Sequence, residues 1–159
     1  MTRTGIDRVF ERHLSALVNC GEPRVLQGGR KGVEKESLRV RPDGLLAQTR
    51  HPRALGSALT NEHITTDFSE SLIELVTPPF AHSWELLQYL LDLHQFIYGH
   101  LGDELLWATS MPGRIDSDAS IPIAEYGKSN VAQMKSIYRR GLGLRYGRMM
   151  QAVSGVHFN

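Results

Sequence analysis

The sequence predicts an α+β fold, and three observations lead there. Residues Asp7 to Val18 and Ser83 to His100 repeat apolar side chains at helical spacing. Val33 to Val40 and Leu72 to Thr77 are short runs rich in β-branched and apolar residues, bounded by turn formers. No regular strand–helix–strand alternation links them, which argues against a parallel sheet. No internal repeat, low-complexity tract or linker breaks the chain, so residues 1–159 read as one structural unit.

Each element has a local cause. In the first helix Val9, Phe10, Leu14, Leu17 and Val18 form the stripe, Asp7 is placed to cap, and Asn19-Cys20-Gly21 ends it. Cys20 there reads as a small apolar residue. Gly28-Gly29 marks a loop; Val33 to Val40 follows as a strand and Pro42-Asp43-Gly44 as a turn. Residues 45–63 show no period. Leu72 to Thr77 reads as a strand stopped by Pro78-Pro79, with a helix starting at Ser69 as the competing reading. Ser83 caps a core helix carrying Leu86, Leu87, Leu90, Leu91, Leu93, Phe96 and Ile97. A loop from Met111 to about Gly127 precedes a helix capped by Ser129 and carrying Val131, Met134, Ile137 and Tyr138. Gly141, Gly143 and Gly147 either permit close packing in its second half or break it. The stretch Ala152 to Asn159 is apolar and strand-like, with no polar tail, and is expected to continue beyond residue 159.

Composition narrows the class. Hydrophobic residues are 41% and charged residues 22%, an ordinary globular balance, and the formal net charge is +1. No broad field points to nucleic acid or a membrane surface, and no apolar run is long enough to span a bilayer. The charged start lacks a signal core, and a single cysteine forms no internal disulfide, so a reducing, cytoplasmic setting is expected.

Three places carry acid or imidazole groups on apolar strand faces. On a strand, Glu34, Glu36, Leu38 and Val40 share one side, and the apolar pair makes that side inward. Two carboxylates there repel and lose hydration, and a divalent cation would relieve both problems. A solvated strand end, with Lys35 and Arg39 facing the other way, is the commoner arrangement for such spacing. Glu74 lies between Leu72 and Val76, with Asp67 in a bend before it; a salt bridge or cap is the alternative role for each. His157, between Val156 and Phe158, is either a hydrogen-bonded core histidine or a ligand. The stretch Tyr138-Arg139-Arg140 with Arg145 and Arg148 could bind phosphate or carboxylate, or be a solvated face. Gly28-Gly29-Arg30-Lys31-Gly32 lacks the phosphate-loop ending and reads as a turn.

At these residues the sequence resembles the proteobacterial glutamate–cysteine ligases. Gly32-Val33-Glu34-Lys35-Glu36-Ser37-Leu38-Arg39-Val40 resembles the family's Gly-x-Glu-x-Glu-x-Leu-Arg-Val stretch. The match continues through Ile64-Thr65-Thr66-Asp67-Phe68, Thr77-Pro78, Ser110-Met111-Pro112, Tyr126-Gly127, Tyr138-Arg139 and Ser154-Gly155-Val156-His157, covering about residues 30–159 in uninterrupted order. The resemblance implies an antiparallel sheet with helices of the glutamine synthetase–guanidino kinase type, incomplete in these residues, which would form the N-terminal part of one catalytic domain. It implies ligation of the glutamate γ-carboxylate to the cysteine amine with ATP as co-substrate, through a γ-glutamyl phosphate, as the first step of glutathione synthesis. It makes Glu34, Glu36, Asp67, Glu74 and His157 look like ligands for magnesium, in a site that could also take manganese. Phe68, Tyr138 and Leu142 fall where the family forms its cysteine pocket, and Gln151 and Asn159 near its glutamate site. Family chains are several hundred residues long, so further ligands and most nucleotide contacts are expected outside this stretch, leaving it inactive alone. Another carboxylate–amine ligase of the same fold, or a non-catalytic metal-binding module, remains the competing expectation.

Overall fold

The computed structural model describes residues 5–22, 24 and 27–159. Their contacts divide the chain into two compact units, residues 1–30 and Lys31–Asn159, where the sequence suggested one. The first unit holds helix α1 (Gly5–Asn19). It starts two residues before the expected cap, so Asp7 lies in its first turn, where a negative charge suits the helix dipole. Cys20 follows the helix and is exposed, not packed as a small apolar residue; its thiol donates to the Leu17 carbonyl at 2.9 Å.

The second unit is built on β1 (Val33–Val40), found as expected. Four further strands join it: β2 (Ile64–Thr66), β3 (Leu72–Val76), β4 (Leu105–Leu106) and β5 (Val156–Phe158). The order is β2-β3-β1-β4, with β5 also on β1, and every pairing is antiparallel. β3 lines one side of β1. The other side is shared: β5 pairs with Val33–Lys35 and β4 with Arg39–Val40. The strand at 72–76 excludes the competing helix from Ser69.

Both faces of this sheet are covered, whereas the sequence suggested one inward face. On the first, Leu38 opposite Leu72 packs with Phe68, Leu46, Ile121 and Ala152. On the second, Ile73, Leu75 and Ile64 pack with Leu55, Leu106, and Ile97 and Leu101 at the end of α2 (Ser83–Tyr98). His82, not Ser83, occupies the N-cap of α2, where its N–H donates to the Glu85 carboxylate at 3.2 Å. Only one stripe of α2 is buried; Trp84, Leu87, Leu91 and Phe96 are exposed.

Arg39 also points to the second face, but it is 0% exposed rather than solvated. Its guanidinium donates to Glu104 and to Thr49 Oγ1, both at 2.5 Å, and to the carbonyls of Thr49 at 2.8 Å and Glu70 at 2.9 Å. A buried charge so enclosed is tolerated because most of its donors are satisfied. Helix α3 (Asn130–Tyr146) begins at Ser129, whose side chain accepts from the Ala132 N–H at 3.2 Å. It runs unbroken past Gly141 and Gly143 and stops at Gly147, where φ is 80°. At Gly143 an added Cβ would sit 3.3 Å from Arg148 Cγ and 3.4 Å from Phe68 Cζ, so the helix packs closely there.

Removing the Arg39 side chain should be among the costliest single changes in the fold. Arg39→Ala removes the only cation paired with Glu104 among the described residues and leaves the Thr49 and Glu70 carbonyls without their donor, with an expected loss of about 3–5 kcal/mol in urea unfolding. Glu104→Gln, which keeps an acceptor, should lose less.

Candidate functional site

The strand register gathers the acids. Glu36 stands directly opposite Glu74, and Glu74 directly opposite Thr65; Asp67 comes two residues after Thr65, just past the end of β2. On β5, His157 stands opposite Glu34. Opposed residues share a face and alternate residues return to it. Glu34, Glu36, Asp67, Glu74 and His157 therefore lie on the same side of the sheet, continued towards the core by Leu38, Leu72 and Phe68.

Hydrogen bonds fix part of the cluster. The Gly155 N–H donates to Glu36 Oε2 at 2.6 Å. His157 Nδ1 lies 3.1 Å from Glu34 Oε2, and the Asn159 amide donates to Glu34 Oε1 at 3.2 Å. At Gly155 an added Cβ would stand 2.9 Å from His157 Nε2, so a larger residue there would displace the imidazole from its present position. His157 is exposed, so it is not the core histidine that its apolar neighbours suggested. Asp67 faces Arg139, with Nη2 3.7 Å from Oδ1.

The electrostatics show that these groups sense one another. Burial pushes the Glu74 carboxyl up to about 7, reinforced by the charges of Asp67, Glu36 and Glu34 and opposed by His157. No hydrogen bond from a described residue offsets the rise. Burial likewise raises Glu36; its Gly155 hydrogen bond opposes this, while the Asp67 charge adds to it. The hydrogen bond to Glu34 raises His157, favouring the imidazolium. Among the described residues, no three His, Cys, Asp or Glu side chains are drawn into a ready-made ligating group. The donor chemistry nevertheless fits a hard divalent cation: carboxylates under mutual repulsion, two of them, Asp67 and Glu74, without a hydrogen-bond donor among the described residues.

The other expected site residues fall in separate surroundings. Phe68 is 1% exposed, and Leu142 packs against its cluster. Tyr138, one helical turn before Leu142, is 61% exposed. Gln151 is half-buried in a short 3-10 turn at Met149–Ala152, and Asn159 is on Glu34. The basic stretch divides. Arg139 and Arg148 donate to the backbone carbonyls of Asp67 and Ile121, while Arg140 lines an open cleft of about 500 Å³ with Arg50, Glu125 and Lys128. Sequence reasoning named Gly155 and Tyr126 only within the family match and gave neither a role, because their contacts come from loops without periodicity.

Glu74 gives a direct test. The folded chain holds its proton up to pH about 7, whereas an unfolded chain releases it near 4.5. The contribution of this group to stability therefore falls as pH rises through that window. In chelator-treated protein the Glu74 carboxyl carbon, followed by NMR, should titrate near pH 7. Glu36→Gln removes one like charge and should lower that midpoint. A wild-type midpoint near 4.5 would mean that Glu74 is solvated.

Comparison with known proteins places this arrangement. The glutamate–cysteine ligase family model matches residues 14–159. The glutamate–cysteine ligase of Alcanivorax borkumensis is 53% identical over 150 residues, which are 94% of this chain and 29% of that protein. The Pseudomonas putida enzyme of the same name is 56% identical over 128 residues, 80% of this chain and 24% of the relative. The crystal structure of glutamate–cysteine ligase from Francisella tularensis in complex with AMP superposes with a TM-score of 0.80 at 42% identity, covering 83% of this chain and 26% of that one. A bifunctional glutathione synthetase from Pasteurella multocida gives 0.75 at 32% identity, over 94% and 18%. The chain thus spans less than a third of the length of these relatives, and it belongs to the glutamate–cysteine ligase family.

Proposed function

We propose that this chain supplies the cation-holding face of an ATP-dependent ligase that joins the γ-carboxylate of glutamate to the amine of cysteine, on a sheet of the glutamine synthetase type. The observation that carries the reading is the placement of Glu34, Glu36, Asp67, Glu74 and His157 on one face of an antiparallel sheet. These residues would hold magnesium, or manganese in its place. The bound cation would neutralise phosphate charge while the phosphoryl group moves from ATP to the glutamate carboxylate. The cysteine nitrogen would then attack the acyl carbon of γ-glutamyl phosphate, the acyl–oxygen bond would break, and phosphate would leave. His157 would bind a cation as the neutral imidazole, and its hydrogen bond to Glu34 orients the ring for that role. Repulsion among the acids has the complementary use of favouring the cation-bound form.

Phe68, Tyr138 and Leu142 are assigned to the cysteine side chain, and Gln151 and Asn159 to glutamate. Support comes from Leu142 packing on the Phe68 cluster one turn after Tyr138, and from Asn159 lying on Glu34. The AMP in the Francisella tularensis complex supports a nucleotide co-substrate.

The full-length protein tests the reading. Given ATP, magnesium, glutamate and cysteine, it should form the γ-linked dipeptide; a different amide product would indicate another ligase of this fold, and no product a binding module. Glu36→Gln keeps size and removes charge. It should lower magnesium-dependent turnover at least about 100-fold with little change in the unfolding midpoint. Residues 1–159 alone should form no product, and turnover by that stretch would show that it holds a complete site.

A further inference from the structure

The backbone carbonyl of Asp67 is held in an unusual way. Asp67 lies just past the end of β2, yet two side chains distant in sequence donate to its carbonyl oxygen. Arg139 Nε is 2.5 Å away and Tyr126 Oη 2.9 Å. The Tyr126 hydroxyl also reaches the Thr66 carbonyl at 2.6 Å, so its single proton is shared across the turn that ends β2. Tyr126 is 7% exposed and packs among Ala58, Ala124 and Ala132. The cations of Lys135 and Arg139, one turn apart on α3, each lie 4.8 Å from its ring centroid.

The same guanidinium treats the Asp67 side chain differently. Its Nη2 stands 3.7 Å from Oδ1, too long for a hydrogen bond. Arg139 therefore anchors the backbone and attracts the carboxylate without occupying its oxygens. Those oxygens stay available on the face that Asp67 shares with Glu36 and Glu74.

We propose that Tyr126 and Arg139 are positioning residues for Asp67: they fix its backbone so that its carboxylate is presented, uncapped, to a divalent cation. The proposal rests on the reading of Asp67 as a cation ligand. It extends that reading by making cation affinity depend on α3 and on the loop before it, neither of which supplies a ligand. Tyr126→Phe removes one hydroxyl and keeps the ring under Arg139. Arg139→Lys keeps the charge and loses the planar fork that reaches the carbonyl.

The test uses full-length protein and manganese(II) alone, titrated by electron paramagnetic resonance, with metal-free thermal unfolding measured in parallel. Tyr126→Phe and Arg139→Lys should each raise the manganese Kd roughly tenfold in folded protein. If Tyr126→Phe does not fold, Arg139→Lys decides. A purely structural role would lower the metal-free unfolding midpoint and leave the Kd at the wild-type value, and that result overturns the proposal. Asp67→Asn separates the two levels. If it weakens manganese binding while the positioning variants do not, only the positioning role fails. If it leaves the Kd unchanged, the ligand reading fails and takes the positioning role with it.

Discussion

The register between β1 and β3 is the constraint on which the rest depends. It sets Glu36 against Glu74 and Leu38 against Leu72, so one face of the sheet is acidic at one end and apolar at the other. Side chains alternate with a period of two, and a slip of one residue would exchange the faces completely. Lys35 and Arg39 would then replace the acids, and Glu36 would be driven among Ile73, Leu75 and the end of α2. The buried Arg39 opposes that slip. Its donors match fixed acceptors on Thr49, Glu70 and Glu104, which no residue on the other face could satisfy.

Covering both faces explains where the acids can sit. Leu38, Leu72 and Phe68 are sealed by Ile121, Ala152 and the inner side of α3. Glu34, Glu36 and Glu74 lie further along, where they are only half-buried. This intermediate depth raises the Glu74 carboxyl without excluding water altogether. A deeper position would leave the acids protonated, and full exposure would let solvent screen them from one another. Pairing of β5 with the first residues of β1 then brings His157 to Glu34 and Gly155 to Glu36.

The segment at 121–127 links this face to the rest of the second unit. Glu70 is almost fully buried, and its carboxylate accepts from the N–H groups of His51 and Glu125 at 2.9 and 2.7 Å. Ser69 and Glu70 both donate to the Pro122 carbonyl, and the Ala124 N–H donates to Phe68. Residues 67–70 are therefore held by side chains and by a loop acting almost as another strand. Such bonding fixes the turn more firmly than sheet hydrogen bonds alone would, since a turn held only at its strand ends is freer to open locally.

Local pattern by itself determined β1, the turn at Pro42-Asp43-Gly44, β3, the Ser129 cap, the three helices and the α+β class, each from residues a few positions apart, while the antiparallel sheet was expected only from the family resemblance. The acids stood out as charged residues among Leu38, Leu72 and Val76, but local pattern left a solvated or ion-paired role open for each, and only the family resemblance pointed to cation binding. Only the tertiary structure decided the rest. Strands β2 and β4, of three and two residues, are too short to show a period and exist because β3 and β1 offer unpaired edges. The apolar residues of α3 marked the helix but not its buried side: Val131, Met134, Ile137 and Tyr138 are exposed, while Ala132, Ser136, Arg139 and Leu142 face inward. The inward side of α3 thus mixes small residues with Arg139 and Leu142, a composition that no one-dimensional hydrophobic count registers. His157 became an exposed partner of Glu34, and Arg39 a buried one of Glu104, for the same reason. Which charge meets which is settled by strand pairing across the chain, and sequence spacing holds no record of it.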